Sequence, residues 1–306
     1  MQFLWFLSGV RTSIGESLAL IATEFGQETI LVVLLCAVYW FGNKQVALKA
    51  AFSYCIAGLS VQNFKLLFRI SRPWILDTRF KPVEKALPAA TGYSFPSGHT
   101  QSATSIYGSF FVSQKKQHNR LCYITGMIPV LVGFSRMYLG VHTPKDVIAA
   151  FIIGVVFIGL VHYFFPYMER GNTWQQYVLP TLCLLSAIGS VFHGYILYTR
   201  GIVEYANVVD CAKGGGVALG FLAGYYIEKR FVHYVVSQNR RLNMICLVIG
   251  LMILLGLKSG LKVLLGVSLL GAVLQNALLI IFIIAGYPWL LLKINNKDRN
   301  ENNYEK

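Results

Sequence analysis

Residues 145–165 read KDVIAAFIIGVVFIGLVHYFF, and apart from His162 every position after the first two is apolar, aromatic or glycine. A stretch of about 20 predominantly apolar residues is long enough to cross the hydrocarbon layer of a membrane as a helix. Over all 306 residues, 55% are hydrophobic and 13% are charged, which is about half the charged fraction of a typical soluble domain. The sequence therefore predicts a multi-pass membrane protein.

Further stretches on both sides of this one fit the same pattern. The predicted spans are 25–41, 45–70, 98–113, 121–139, 145–165, 175–197, 206–227, 243–258 and 264–292. The stretch 98–113 is rich in Ser, Thr and Gly, and it is included because the alternation of the loops requires it. The expected fold is all-α, a polytopic membrane helical bundle of about nine transmembrane helices.

The chain divides into four parts. Residues 1–24 alternate apolar and polar positions, which is typical of an amphipathic helix in the membrane interface, and no removable signal peptide is expected. Residues 25–170 form a core, and 171–292 form an additional four-helix transmembrane extension. Residues 293–306 are predicted to be a disordered cytoplasmic tail.

Basic residues outnumber acidic ones by 27 to 13, which gives a net charge of +14. Cytoplasmic loops of membrane proteins concentrate Lys and Arg, so this charge does not indicate a nucleic-acid partner. The basic segments 44–49, 115–120, 229–241 and the tail lie on one side of the nine-span arrangement, which is therefore predicted to be cytoplasmic in the cell membrane. The loop 72–97, on the opposite side, also carries four basic residues, which weakens the asymmetry.

The six cysteines lie in or beside apolar segments, and none forms a CxxC pair. They are predicted to be small buried hydrophobic residues, neither disulfides nor metal ligands.

Three polar clusters occur at the outer ends of the predicted spans. They are Lys65-x6-Arg72-Pro73, Pro96-Ser97-Gly98-His99 and Ser135-Arg136-x5-His142-x3-Asp146. Under alternate crossing of the membrane, all three fall on one face. Together they supply three cations, a helix N-terminus, two imidazoles and a carboxylate, which are the groups that phosphoryl transfer through a histidine would need.

The first cluster has two interpretations. Lys65 and Arg72 are seven residues apart, which is two helical turns, so they are predicted to project from one face before Pro73 ends the helix. Both side chains can instead extend to the lipid headgroups. A lysine within a membrane is expensive without a function, which favours a site.

The second cluster opens a predicted helix. The free N–H groups of a helix N-terminus bind anions, and a glycine at Gly98 lets a phosphate approach closely. Ser97 fits both an N-cap and a phosphate ligand. His99 alone is equally compatible with a buried structural residue and with a general acid.

The third cluster is more specific. Arg136 can hold a phosphate in bidentate fashion. Asp146 is four residues from His142, so it can fix the imidazole tautomer as a triad carboxylate does. The alternative is a capping box with Thr143 as N-cap, Pro144 at the first helical position and Asp146 at the third. The position of all three clusters on one face favours catalysis.

These spacings resemble the pattern K-x6-RP, PSGH and SR-x5-H-x3-D of the type 2 phosphatidic acid phosphatase superfamily, which includes membrane lipid phosphatases and glucose-6-phosphatase and is related to vanadium-dependent haloperoxidases. Every defining residue is present, and the resemblance covers roughly residues 30–165. It implies a six-helix phosphatase core, and the last four spans lie outside that core. Nine spans with an outward site are similar to the layout of glucose-6-phosphatase.

The resemblance also implies roles. His142 would attack phosphorus, His99 would protonate the leaving oxygen and then activate water, and Asp146 would orient His142. The implied phosphate-binding residues are Lys65, Arg72, Ser97, Gly98 and Arg136. No cofactor is expected: three cations already neutralise the phosphate, and no carboxylate cluster suits Mg²⁺.

The sequence thus predicts a metal-independent membrane phosphatase, whose substrate is a lipid phosphomonoester or pyrophosphate such as a polyprenyl pyrophosphate or phosphatidate. A lipid is favoured because an amphiphile can reach a site at a helix rim laterally from the bilayer.

A sugar-phosphate phosphatase is one alternative. An anion transporter or channel, with Asp210 on its pathway, is another, although it leaves the two histidines unexplained. Asp210 and Lys213 are either a neutralising pair or substrate-selectivity residues.

Overall fold

The computed structural model describes residues 1–237, 239–266 and 268–294, and this part of the chain is helical, without strands. The helices are α1 (Gln2–Gly9), α2 (Ser13–Glu24), α3 (Glu28–Phe41), α4 (Lys44–Phe68), α5 (Pro73–Leu76), α6 (Gly98–Lys116), α7 (Cys122–Tyr138), α8 (Pro144–Arg170), α9 (Val178–Thr199), α10 (Tyr205–Ile227), α11 (Arg240–Leu265) and α12 (Leu269–Ile281). A π-helical turn, Phe282–Gly286, follows α12. The all-α prediction is confirmed. Most of the predicted tail, 295–306, lies outside the described residues.

Four stretches are long and apolar enough to cross a membrane. They are Pro144–Arg170, Trp174–Thr199, Arg241–Leu265 and Leu269–Ile294. Helices α2 and α3, which meet at a bend of 47°, satisfy the same criterion together and provide up to a fifth span. The chain is therefore a multi-pass membrane protein with four to five candidate spans.

Each of the nine predicted spans nevertheless corresponds to a helical stretch, the ninth being Leu269–Ile294, and the ends lie within several residues of the prediction. The more polar helices face the inside of the bundle. Helix α6, for example, buries Thr100, Gln101, Thr104, Ser105 and Ser109. Because these side chains pair with neighbouring groups and not with lipid, α6 can be polar and still lie within the bundle.

Residues 1–24 form two helices where the sequence indicated one. Helix α1 ends at Gly9, and the side chain of Thr12 accepts a hydrogen bond from the Gly15 N–H at 3.1 Å to cap α2. Helix α2 packs against α7, and it buries Thr23, which is 4% exposed. This segment is therefore part of the bundle near the motif residues.

The first cluster does not lie on one helix, so the prediction of a shared helix face was wrong. Helix α4 ends at Phe68, and Arg69 takes a left-handed conformation with φ 48°. Arg72 is extended, as the residue before a proline prefers, and it is the N-cap of α5, which Pro73 begins. Lys65 and Arg72 therefore reach the same region from two different elements.

The core and the extension pack on each other directly. A hydrophobic cluster joins α3, α4, α8, α9 and α10 around Trp40, Phe52, Phe165 and Phe221. Helix α10 packs directly against the backbone of α12 at Gly216 and Gly220. A side chain at either glycine would overlap the backbone of Val273 or Ala277. All six cysteines are buried and free, as predicted.

Candidate active site

Arg72 and His142 meet in the loops above α4 and α7. The Arg72 side chain is buried, and it donates hydrogen bonds to the carbonyl oxygens of Gly92 (3.0 Å), Val141 (3.1 Å) and Thr91. Its Nη1 also lies 2.9 Å from His142 Nε2. Burial lowers the pKa of Arg72 to about 10, so the guanidinium stays charged at neutral pH.

This contact defines the tautomer of His142. A guanidinium can only donate hydrogen bonds, so His142 Nε2 must be the accepting nitrogen and the ring proton must sit on Nδ1. Burial lowers the pKa of His142, the charges of Arg72 and Arg136 lower it further, and Asp146 opposes them. The neutral imidazole therefore directs a lone pair at a fixed cation.

Asp146 contacts both the helix start and the imidazole. Its Oδ2 accepts hydrogen bonds from the Ser94 hydroxyl at 2.7 Å and from the Thr143 N–H at 2.8 Å. The Thr143 hydroxyl accepts from the Asp146 N–H at 3.4 Å, which completes the capping box. The same Oδ2 is 3.4 Å from His142 Nδ1. This distance is longer than that of a good hydrogen bond, and the ring is neutral. The capping box is therefore present, and the same carboxylate lies beside the imidazole.

Arg136 is fully buried in α7. Its Nη1 donates to the Thr23 hydroxyl at 2.9 Å, and its Nη2 lies 3.5 Å from the Ala89 carbonyl oxygen. Its Nε has no hydrogen-bond partner. The Arg136 carbonyl oxygen accepts hydrogen bonds from the N–H groups of Val141 and His142, so the turn that carries the imidazole is tied to the end of α7.

The second cluster contacts the other two through Ser97 and Gly98. Ser97 is the N-cap of α6, and its backbone N–H donates to the Asp146 carbonyl oxygen at 3.1 Å. A methyl group at Gly98 would lie 3.8 Å from Lys65 Nζ, which places the lysine beside the helix N-terminus. This arrangement leaves an ammonium group facing free N–H donors, which suits an oxyanion.

His99 occupies the first turn of α6. It interacts electrostatically with Arg136, His142, Lys65 and Arg72, so it belongs to the same charged group. A methyl group at Gly26 would lie 2.9 Å from the His99 carbonyl oxygen. The bend between α2 and α3 therefore packs against this histidine.

The structure thus places all eight predicted site residues in one region, where α4, α6 and α7 meet the α7–α8 turn. It adds Ser94 and Thr23, which the sequence analysis missed. Neither had a signal in the sequence, because Ser94 lies outside the recognised tetrapeptide and Thr23 lies in a segment assigned to the interface. Within the described ranges, no group of three or more His, Cys, Asp and Glu side chains is placed to hold a metal ion.

Comparison with known proteins matches two parts of the chain to one superfamily. Residues 46–170 match the PAP2 superfamily, and residues 212–299 match the transmembrane extension of PAP2 superfamily phosphatases. All three polar clusters lie inside the first match. No solved structure shows a significant match to the chain.

Three relatives represent the similarity to characterised proteins. Phosphatidylglycerophosphatase B of Bacillus subtilis is 35% identical over 113 residues, which are 35% of this chain and 55% of that protein. Undecaprenyl-diphosphatase BcrC of B. subtilis is 28% identical over 161 residues, 52% of this chain and 78% of that protein. Sphingosine-1-phosphate phosphatase 2 of Mus musculus is 23% identical over 218 residues, 68% of this chain and 58% of that protein.

The chain thus spans about half the length of the first of these relatives. The matched regions include the clusters and most of the extension, and they confirm the resemblance that the motif spacings indicated. The chain belongs to the PAP2 superfamily and carries the transmembrane extension of its phosphatases.

Proposed function

We propose that this chain is an integral membrane phosphatase that hydrolyses a lipid phosphomonoester or diphosphate through a phosphohistidine. The observation that carries the proposal is the position of His142 Nε2, 2.9 Å from Arg72 and on the opposite side of the ring from Asp146. A phosphate held by Arg72 would meet the lone pair of a neutral imidazole. An attacking nitrogen requires a free lone pair, so the phosphate would take over the Arg72 N–H that Nε2 accepts here.

The reaction would have two steps. In the first, His142 Nε2 attacks phosphorus, the bond from phosphorus to the lipid oxygen breaks, and His99 gives that oxygen a proton. In the second, His99 takes a proton from water, the water oxygen attacks the phosphohistidine, and the phosphorus–nitrogen bond breaks to release inorganic phosphate. Asp146 stabilises the ring proton on Nδ1 throughout.

Three cations, Ser97 and the Gly98 amide would hold the phosphoryl oxygens. The proposed set is Lys65, Arg72, Arg136, Ser97 and Gly98. Charge builds up on these oxygens as the transition state forms, and fixed donors in a water-poor site stabilise that charge more than water does. The unpaired Nε–H of buried Arg136 is a donor that such an oxygen would satisfy.

A lipid substrate is supported by two considerations. The names of the three relatives refer to phosphatidylglycerophosphate, undecaprenyl diphosphate and sphingosine 1-phosphate. The site also lies at the ends of membrane helices, which an amphiphile can reach from within the bilayer.

Nine crossings are proposed for the topology, by α3, α4 and α6 to α12. Lys44 pairs with Glu228, and the Gln45 side chain donates to Glu169 at 2.9 Å. These contacts gather basic loops at the end of the bundle opposite the polar clusters. By the positive-inside rule that end is cytoplasmic, so the site faces the outside or a lumen.

Phosphate release tests the proposal directly. Purified protein in detergent would be given phosphatidate, undecaprenyl diphosphate and glucose 6-phosphate in the presence of EDTA. We expect release from at least one lipid, inhibition by vanadate and no release by His142→Ala. Undiminished activity of His142→Ala would contradict the nucleophile, loss on chelation would indicate a metal mechanism, and preference for glucose 6-phosphate would overturn the lipid assignment.

A further inference from the structure

A polar cavity opens beside the phosphate-binding residues, and the extension forms one of its walls. It measures about 320 Å³, with Lys65 and Gly98 on one side and Asp210, Lys213 and Asn276 on the other. The first two residues come from α4 and α6, and the other three from α10 and α12. The size is at the lower end of the range for ligand sites, roughly 300–1,000 Å³.

An apolar crevice continues from this cavity. It is narrow, about 80 Å³, and it lies between α3 and α4 on one side and α10 and α12 on the other. The two spaces share the lining residues Glu28, Tyr54, Cys55 and Val217. The two spaces therefore adjoin, and together, here called the passage, they have a polar end and an apolar end.

The face of α10 that lines this passage is polar at one end and apolar at the other. Asp210, Lys213, Gly214 and Val217 line the polar cavity, and Val217 and Phe221 line the crevice. Their spacing of three, four and seven residues is that of one helix face. The face is charged at the end near Lys65 and purely apolar two turns further on.

The facing side of α4 changes in the same direction. Lys65 and Gln62 line the polar cavity, and Ala51, Leu48 and Ala47 line the crevice. Lys65 and Ala47 are 18 residues apart in α4, which is about 27 Å at 1.5 Å per residue. The passage thus runs through nearly the whole hydrocarbon layer, whose thickness is about 30 Å.

The polar cavity is lined by two carboxylates, Glu28 and Asp210, and by two ammonium groups, Lys65 and Lys213. Asp210 and Lys213 form an ion pair at 3.1 Å, and about half of each side chain is exposed. Because the lysine neutralises the carboxylate, Asp210 does not repel a phosphate at Lys65. Both groups remain accessible to hydroxyl or phosphate oxygens next to the reacting phosphorus.

We propose that the extension forms the wall of a substrate channel, in which one linear hydrocarbon chain of the lipid lies between α3, α4 and α10, α12. The phosphate sits at Lys65 and Gly98, the adjoining polar group contacts Asp210 and Lys213, and the tail follows the crevice past Val217. This inference rests on the proposed function, and it assigns to the extension the recognition of the hydrocarbon chain of the substrate. A narrow crevice selects a slender single chain.

Filling the crevice tests the channel. Val217→Trp and, from the opposite wall, Ile280→Trp would each be compared with Val156→Trp, whose position on α8 is half exposed on the outside of the bundle. The probes are undecaprenyl diphosphate, which has a long chain, and farnesyl diphosphate, which has a short one. The readout is the ratio of kcat/KM for the long chain to that for the short chain.

We expect both channel variants to lower this ratio by about tenfold or more, and Val156→Trp to leave it unchanged. The ratio is insensitive to the amount of folded protein, and two variants from different helices guard against one that fails to fold. An unchanged ratio in both channel variants would overturn the channel and leave the proposed function intact. Release from phosphatidate but from neither single-chain probe would also overturn the channel, whereas no release from any of the three lipids would contradict the proposed function.

Discussion

The imidazole of His142 has a cation at one edge and a carboxylate at the other. Arg72 is 2.9 Å from Nε2, and Asp146 is 3.4 Å from Nδ1. The carboxylate favours a proton on Nδ1, and the guanidinium disfavours a proton on Nε2. This polarity leaves Nε2 unprotonated, and in the proposed reaction a phosphate that binds Arg72 would free the Nε2 lone pair for attack. The ring does not first have to lose a proton.

The pH dependence of activity follows from the burial of this ring. Burial lowers the pKa of His142 below its ordinary value of about 6.5, so the nucleophile stays neutral as the pH falls through that value. We expect the acid limb of kcat/KM, which reports groups of the free enzyme, to lie below pH 6.5. A limb at or above pH 6.5 would contradict this.

Stability has to be measured alongside this profile. Because the pKa of His142 is lower in the folded than in the unfolded protein, the unfolded state binds more protons below pH 6.5, and this group destabilises the fold as the pH falls. Circular dichroism at each pH would separate loss of the fold from protonation of the nucleophile.

Thr23 is predicted to position Arg136. Thr23→Val keeps the shape but removes the acceptor 2.9 Å from Nη1. Removing a hydrogen bond to a buried charged group costs about 1.5–3 kcal/mol, so we expect kcat/KM to fall about tenfold or more and vanadate to bind more weakly. Thr23→Ser should restore both quantities. Thr125→Val, at the other end of α7, is the control, and equal effects at the two positions would argue against positioning.

At the level of elements, the bend between the N-terminal helices α2 and α3 packs against His99. Gly26 is in the bend between α2 and α3, and a methyl group there would come within 2.8 Å of Val132 Cγ1 and 2.9 Å of the His99 carbonyl oxygen. Hydropathy cannot reveal this contact, because it depends on the packing of α2 against α7.

Gly26→Ala is therefore expected to reduce activity and stability together. Overpacking a tight contact destabilises a protein by about 1–3 kcal/mol, and displacement of His99 would lower kcat as well. The control is Gly159→Ala in α8, where a methyl group meets nothing within 4 Å. Thermal unfolding and kcat would both be measured. A Gly26→Ala protein with unchanged kcat would show that the bend does not position the histidine.

The elements also show what the sequence could and could not predict. Apolar run length is a local property, so the helices that correspond to the nine spans were located to within several residues. The close approach of α10 to the α12 backbone occurs at Gly216 and Gly220, and no pairing of these two helices was predicted. The end of α4 was predicted too late in the chain. Pro73 was expected to end the helix, but a left-handed residue, Arg69, ends it earlier. The roles of Ser94 and Thr23 depend on contacts between distant segments, and no local pattern encodes them.

At the scale of the whole molecule, the core supplies the proposed phosphate-binding residues, and the extension lines the adjoining cavity with Asp210 and Lys213. The last four spans were predicted to lie outside the phosphatase core, with no role assigned to them. The structure brings α10 and α12 against α3 and α4, so a boundary at residue 170 in the chain is not a boundary in space. The proposed lipid-binding surface is therefore shared between the two parts.

The proposed orientation can be tested by labelling from one side of the membrane. All six native cysteines are buried, so an introduced cysteine in an exposed loop should dominate the labelling. Glu204→Cys, before α10, should react with an impermeant thiol reagent in intact cells, and Asn119→Cys, before α7, should react only after permeabilisation. The reverse pattern would place the site on the cytoplasmic side.

The covalent intermediate is the central claim, and trapping it is the most direct test. Protein mixed rapidly with radiolabelled substrate and quenched in alkali, in which phosphohistidine is stable, would be digested and mapped by mass spectrometry. The account predicts a phosphoryl group on His142 that is absent from His142→Ala. In His99→Gln, which lacks both the acid of the first step and the base of the second, the label should form more slowly and, once formed, be lost more slowly. Turnover with no labelled protein, or a label on any other residue, would contradict it.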